Sequence, residues 1–168
     1  MLAAVPNSRL LVLAPEGRSR DHVLSAHRQN SIVETRLEFV DRQPRAQYLK
    51  LHQQIDCVLD TFPYNGHTTT LDALWMGVPV ITLVGKTAMG RAGKSILTNI
   101  GLPEFIAQTP EEYIQIAVKL AGDLPRLAEL RKTLRQRMEN SPLMDAKSFA
   151  HDIESAYRDM WQKWCAEK

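Results

Sequence analysis

At 168 residues, 44% hydrophobic and 24% charged, the chain has the size and composition of one soluble globular domain with a single core. A formal net charge of +2 is too small to argue for nucleic acid as a partner, and no apolar run reaches the length of a membrane span. Met1 to Pro6 is too short for a signal peptide, and Cys57 and Cys165 lie too far apart to suggest a disulfide framework.

In chain order, Arg9 to Ala14 (RLLVLA) predicts a first strand and Arg20 to Asn30 a short helix carrying Val23, Leu24 and Ala26. Leu37 to Val40 predicts a second strand, and Arg45 to Gln54 a second helix with Tyr48, Leu49 and Leu51. Cys57-Val58-Leu59 is an apolar run with β-favouring residues, which makes Cys57 a buried, reduced thiol and the cytoplasm the expected compartment. Pro63, Asn65 and Gly66 punctuate the turn that follows. His67-Thr68-Thr69-Thr70 then opens a helix with Leu71, Leu74 and Trp75 on one face. Gly77 stands where a helix-ending glycine belongs, and Val78 to Val84 reads as a buried strand.

Ser95 to Ile100, closed by Gly101, predicts a short helix, and Glu104 to Ala107 a fifth strand. Thr109-Pro110-Glu111-Glu112 is a capping threonine, a proline at the first helical position and two first-turn acids. Helix is expected from there to Asn140, broken near Asp123-Leu124-Pro125, and again from Asp145 to about Cys165. Alternating strands and helices predict an α/β fold, a single domain over residues 1–168: a parallel sheet with helices on both faces and two long C-terminal helices on or beyond it. In such sheets ligands bind at the carboxyl ends of strands. The loops Thr61 to Gly66 and Asp41 to Arg45 both lie at that edge.

Threonines are poor helix-interior residues, but at a helix start their hydroxyls join free backbone N–H groups in an anion site, most naturally for phosphate. The competing reading is that Asn65 or a threonine merely caps the helix. Asp72, in the first turns, either favours the helix dipole or accepts from a ribose hydroxyl. Ala88 to Ser95 (AMGRAGKS) fits a permissive phosphate-loop pattern. It starts several residues after its strand, however, and places only Arg91 or Lys94 near the ligand edge. His22, His27, His52, His67 and His151 lack metal-ligand spacing, and no paired aspartates suggest a metal-bound diphosphate. Tyr157, Trp161 and Trp164 form one helical stripe, either packed on this domain or left for an absent one.

The run Asp60-Thr-Phe-Pro-Tyr-Asn-Gly-His-Thr-Thr-Thr-Leu-Asp-Ala-Leu-Trp-Met-Gly-Val-Pro-Val resembles the C-terminal catalytic lobe of the O-linked N-acetylglucosamine transferase family, which includes the SPINDLY-type O-fucosyltransferases. Weaker likeness extends from about Val5 to the end, including Ser141-Pro-Leu-Met and Tyr157-Arg-Asp-Met-Trp. The resemblance implies the Rossmann-like, nucleotide-binding lobe of a GT-B glycosyltransferase. Thr68 and Thr69 would then hold the diphosphate, with His67 beside phosphate and sugar and Asp72 on the ribose. Gln43, Arg45 and Tyr48 would face the base, with Asn65, Gly66 and Arg91 as further possible contacts.

Arg45 and Tyr48 replace the lysine and base-stacking histidine of the animal enzymes, and Leu51 replaces an arginine. By the resemblance His67 and Asp72 favour a UDP-N-acetylhexosamine donor, while the SPINDLY-like tail keeps a GDP-sugar open. No metal or other cofactor is implied. Against the family, the chain lacks a preceding strand and helix, the N-terminal lobe with its catalytic histidine, and any helical repeats. Implied partners are those parts, a nucleotide sugar and an acceptor protein, with no nucleic acid or membrane, and no catalytic residue in this piece. The alternatives of another class are a P-loop nucleotidase and a non-catalytic Rossmann-like interaction module.

Overall fold

The computed structural model describes residues 1–167. Five parallel strands alternate with helices, as the apolar periodicity predicts: β1 (Leu10–Leu13), α1 (Arg18–Gln29), β2 (Leu37–Val40), α2 (Arg45–Leu51), β3 (Val58–Leu59), α3 (Thr68–Trp75), β4 (Val80–Leu83), α4 (Ala92–Asn99) and β5 (Ile106–Ala107). Three helices follow: α5 (Pro110–Ala121), α6 (Leu124–Glu139) and α7 (Ala146–Ala166). The expected single sheet is in two pieces, β1-β2 and β3-β4-β5. β1 runs in register with β2 from Leu10 opposite Leu37 to Leu13 opposite Val40. β4 is the central strand, and all four of its residues are buried between β3, β5 and the helices α4 and α5.

The main-chain bonds define two edges facing a cleft. Val58 and Asp60 donate to Pro79 and Ile81 at 2.9 Å, so alternation turns the groups of Cys57 and Leu59 away from β4. Ala14 donates to Val40 at 3.0 Å, which turns Leu11 and Leu13 away from β2. Between these edges lies an apolar cleft of about 860 Å³, lined by Leu10, Leu11, Cys57, Val58, Leu59 and Leu127 among others.

The core is gathered from Ala73 to Met138, around β4 and the inner faces of α3 to α6. Gly77 ends α3 at φ +81°, with its N–H on Leu74 O at 3.0 Å and that of Val78 on Ala73 O at 2.8 Å. This bonding pair satisfies the last carbonyls of the helix. A Cβ at Gly77 would stand 2.7 Å from the carbonyl oxygen of Arg131, so α6 packs directly on the end of α3. Leu130, Leu134 and Met138 form the buried stripe of α6. From its other face, Arg131 donates to the carbonyls of His52 and Ile55, and Arg135 to that of Trp75 at 3.0 Å. α6 therefore fixes α2, β3 and α3 relative to one another.

Several boundaries depart from the sequence reading. α2 ends at Leu51 rather than near Gln54. α4 starts at Ala92 rather than Ser95, because Gly93 is needed where the helix crosses β4. Glu104 and Phe105 belong to a 3-10 turn, leaving Ile106 and Ala107 as the strand. The break expected near Asp123-Leu124-Pro125 does separate α5 from α6, and both pack on the core. α7 buries none of its residues, and Tyr157 and Trp161 are exposed with the Trp161 ring stacked on Trp164 at 5.2 Å. That excludes the reading in which the stripe packs on this domain's own core.

Candidate functional site

The carboxyl ends of β2 and β3 carry the two loops singled out by the sequence, and the structure brings them together. The loop after β3 ends at His67, the residue before α3, where no side chain caps the helix. The capping role considered for Asn65 or a threonine is thus not taken up. The first helical bond runs from the Leu71 N–H to the His67 carbonyl at 3.1 Å. Among the described residues, the amides of Thr68, Thr69 and Thr70 have no acceptor. Thr68 and Thr69 are exposed, whereas Thr70 is buried and donates its hydroxyl to Gly66 O at 2.9 Å. Three free N–H groups and two exposed hydroxyls at the positive end of a helix dipole form a surface for an anion. His67 is exposed and stacked on Tyr64, with ring centroids 5.7 Å apart.

One turn into α3, Asp72 is buried and accepts from Arg45 of α2 at 2.7 and 3.2 Å. This bidentate pair joins the two predicted halves of the site. The bond to Asp72 raises the Arg45 guanidinium above its ordinary value. Tyr48 stands one turn after Arg45, half-buried, edge-on to His52 at 5.0 Å. Burial pushes its phenol up, and the Asp72 charge adds to the effect. Gln43 is half-buried in the loop just before α2. Arg45 thus ties α2 to α3, with Gln43 and Tyr48 within three residues of it in the chain.

The further candidates divide. Asn65 is fully buried, donates to Thr61 O at 3.1 Å, and receives no bond at Oδ1. Its backbone N–H reaches Met89 O at 3.4 Å, so it staples the two loops instead of presenting a side chain to solvent. Gly66 is required by contact: a Cβ there would stand 2.5 Å from Thr69 Oγ1. Arg91 is exposed and donates to Lys86 O at 3.0 Å, in the loop touching Asn65.

The glycines of AMGRAGKS face inward, Gly90 against Gly85 and Pro63, and Gly93 against Thr82 and Asp60. They leave no cradle for a phosphate, and the P-loop reading falls. Among the described residues no group of three His, Cys, Asp or Glu side chains gathers to hold a metal. The sequence reading missed Asp60, whose buried carboxylate lies directly beneath the loop. An aspartate closing an apolar strand just before a glycine-containing turn was the available signal.

With this geometry in view, the family model described as glycosyl transferase family 41 matches residues 1–153. The chain belongs to glycosyl transferase family 41. A relative of this family-41 chain from Arabidopsis thaliana, named a probable UDP-N-acetylglucosamine–peptide N-acetylglucosaminyltransferase SPINDLY, is 41% identical over 98% of the chain and 18% of its own length. The corresponding protein of Hordeum vulgare is 39% identical with the same coverage. A UDP-N-acetylglucosamine–peptide N-acetylglucosaminyltransferase of Caenorhabditis elegans is 32% identical over 98% of the chain and 14% of its own length. Among solved structures, a mutant O-GlcNAc transferase of Thermobaculum terrenum superposes with a TM-score of 0.90 at 41% identity, over 98% of the chain and 32% of that structure. The family-41 chain thus spans less than a fifth of the curated relatives named here and shares the fold of a catalytic-lobe segment.

Proposed function

We propose that this chain is the nucleotide-sugar-binding half of a protein O-glycosyltransferase that transfers N-acetylglucosamine from UDP-GlcNAc to serine or threonine. The uncapped start of α3 beside the Arg45–Asp72 pair is the observation that carries the proposal. In this reading Thr68, Thr69 and the α3 amides hold the diphosphate without a metal, the helix dipole offsetting part of its charge. His67 lies beside the phosphate and sugar. Asp72 has lone pairs left beyond its Arg45 bonds and accepts from the ribose. Tyr48 and Arg45 face the base, with Gln43 bonding it through its backbone. Gly66 lets the loop approach the phosphates, and Arg91 adds positive charge at the rim.

No residue of this chain is assigned to the chemical step, which belongs to a lobe outside residues 1–168. The names of the relatives support the UDP-GlcNAc donor. The SPINDLY-like tail, Tyr157-Arg-Asp-Met-Trp, supports a GDP-sugar, as in a SPINDLY-like O-fucosyltransferase, as the second reading. The facing edges of β1 and β3 support a longer enzyme whose preceding strand fills the cleft. The two free thiols suit a reducing compartment, the cytoplasm; no helix among the described residues is long and apolar enough to cross a membrane.

Calorimetric titration of UDP, GDP and ATP, repeated with chelator and with manganese, tests the proposal. UDP binding that persists in chelator is expected. Preference for GDP selects the second reading, a metal requirement removes the proposed phosphate chemistry, and no response at millimolar nucleotide leaves only an interaction module.

A further inference from the structure

The carboxylate of Asp60 meets the donor-site loop only at the Gly66 amide, and β4, α5 and that loop all bond to this residue. It directly follows β3, is 7% exposed, and holds β4 through its N–H on Ile81 O. Oδ1 accepts from the Gly66 N–H at 2.7 Å, and Oδ2 from the Thr82 hydroxyl of β4 at 2.7 Å. Its carbonyl accepts from the Tyr113 hydroxyl of α5 at 2.8 Å. Two glycines make room for this arrangement. A Cβ on Gly93 would stand 2.2 Å from Thr82 Oγ1 and 2.7 Å from Asp60 Oδ2, and one on Gly66 would strike Thr69 and Thr70.

The side chain thus spans the loop from its first residue to Gly66, the last residue but one before α3. A buried negative charge beneath an anion site costs desolvation and repels the ligand. Burial accordingly pushes the Asp60 carboxyl up, against the pull of the Gly66 amide and the Thr82 hydroxyl. A carboxylate in such a place needs a compensating role, and the geometry supplies one. By claiming the Gly66 N–H, Asp60 sets the peptide plane from which His67 and Thr68 continue. The amides of Thr68, Thr69 and Thr70 that follow are left without an acceptor.

We propose that Asp60 is a positioning residue for diphosphate: it aims the N-terminus of α3 by locking Gly66 to β4 through Thr82. This rests on the donor-site reading above. Asp60→Asn keeps an acceptor for Gly66 and a partner for Thr82, whereas Asp60→Ala keeps neither. In titrations of the whole chain with UDP and with uridine, Asp60→Ala is expected to weaken UDP at least tenfold and leave uridine within twofold. Asp60→Asn should stay within threefold of the wild type for both. A folded Asp60→Ala with wild-type UDP affinity, or with equal losses for UDP and uridine, overturns the proposal.

If Asp60→Ala does not fold, Thr82→Val decides. A selective loss for UDP supports the lock, and an unchanged or unselective response overturns it. If the wild-type chain binds no UDP, the donor-site reading fails by itself, and the lock is then judged by amide exchange. Faster exchange at Gly66 and Leu71 in Asp60→Ala, restored in Asp60→Asn, supports it, and unchanged exchange overturns it.

Discussion

Single side chains in this fold are tuned by where the backbone carries them, and Cys57 shows it. Facing the cleft from the edge of β3, its thiol is pushed up to about 11 from an ordinary 9.0, mainly by burial and then by the Asp56 charge. Burial here disfavours the thiolate, so below the unfolded value the thiol contributes its full share of stability. That share is lost as pH rises from about 9 through 11. At pH 8.5 roughly one Cys57 in a few hundred is thiolate, so the exposed Cys165 should be alkylated first by iodoacetamide. Mass mapping of a short labelling pulse checks this, and label appearing first at Cys57 would contradict the burial argument. Denaturation between pH 8 and 11 should likewise show the wild type losing stability that Cys57→Ala does not lose.

At the scale of elements, α3 holds most of the information. Replacing Thr68 and Thr69 together by valine keeps volume and β-branching but removes two hydroxyls. Because neither caps the helix, stability should change by less than the ~1 kcal/mol of a lost cap. Diphosphate affinity should fall by about 1.5–3 kcal/mol per hydroxyl, at least tenfold each, while uridine is unaffected. Parallel losses for both ligands in calorimetry would instead mean general disruption. At the other end, Gly77→Ala faces a left-handed backbone and the Arg131 carbonyl. A loss of at least about 1–2 kcal/mol is expected in urea unfolding, and an unchanged midpoint would mean that α6 gives way freely.

These two termini were legible because their signals are local, threonines at one end and glycine with an apolar run at the other, whereas the missing cap at His67 shows only in the structure. β3 and β5 were overestimated because two-residue strands are set by pairing with β4, which no local pattern reports. Asn65 read as a turn residue and a candidate helix cap but is a buried staple, since its environment comes from Leu83 and Met89, distant in sequence. The Arg45–Asp72 pair was legible only as two separate candidates, because α6 is what brings their helices together.

Across the whole molecule, the sheet is divided into β1-β2 and β3-β4-β5, and α7 buries none of its residues. If a preceding strand fills the cleft, the amides of Leu11, Leu13, Cys57 and Leu59 should exchange quickly in this chain and slowly in the longer protein. Equal exchange in both would show that the cleft is not a strand slot. The candidate site, from Gln43 to Asp72, lies within the described residues. The most direct measurement is a map of backbone amide shifts over the chain as UDP is added in the presence of chelator. The account predicts the largest shifts at Thr68, Thr69 and Thr70, smaller ones at Arg45, Tyr48 and Asp72, and none at the first three with uridine alone. Shifts centred on Lys94 and Ser95, or saturable UDP binding that leaves the start of α3 unmoved, would contradict it.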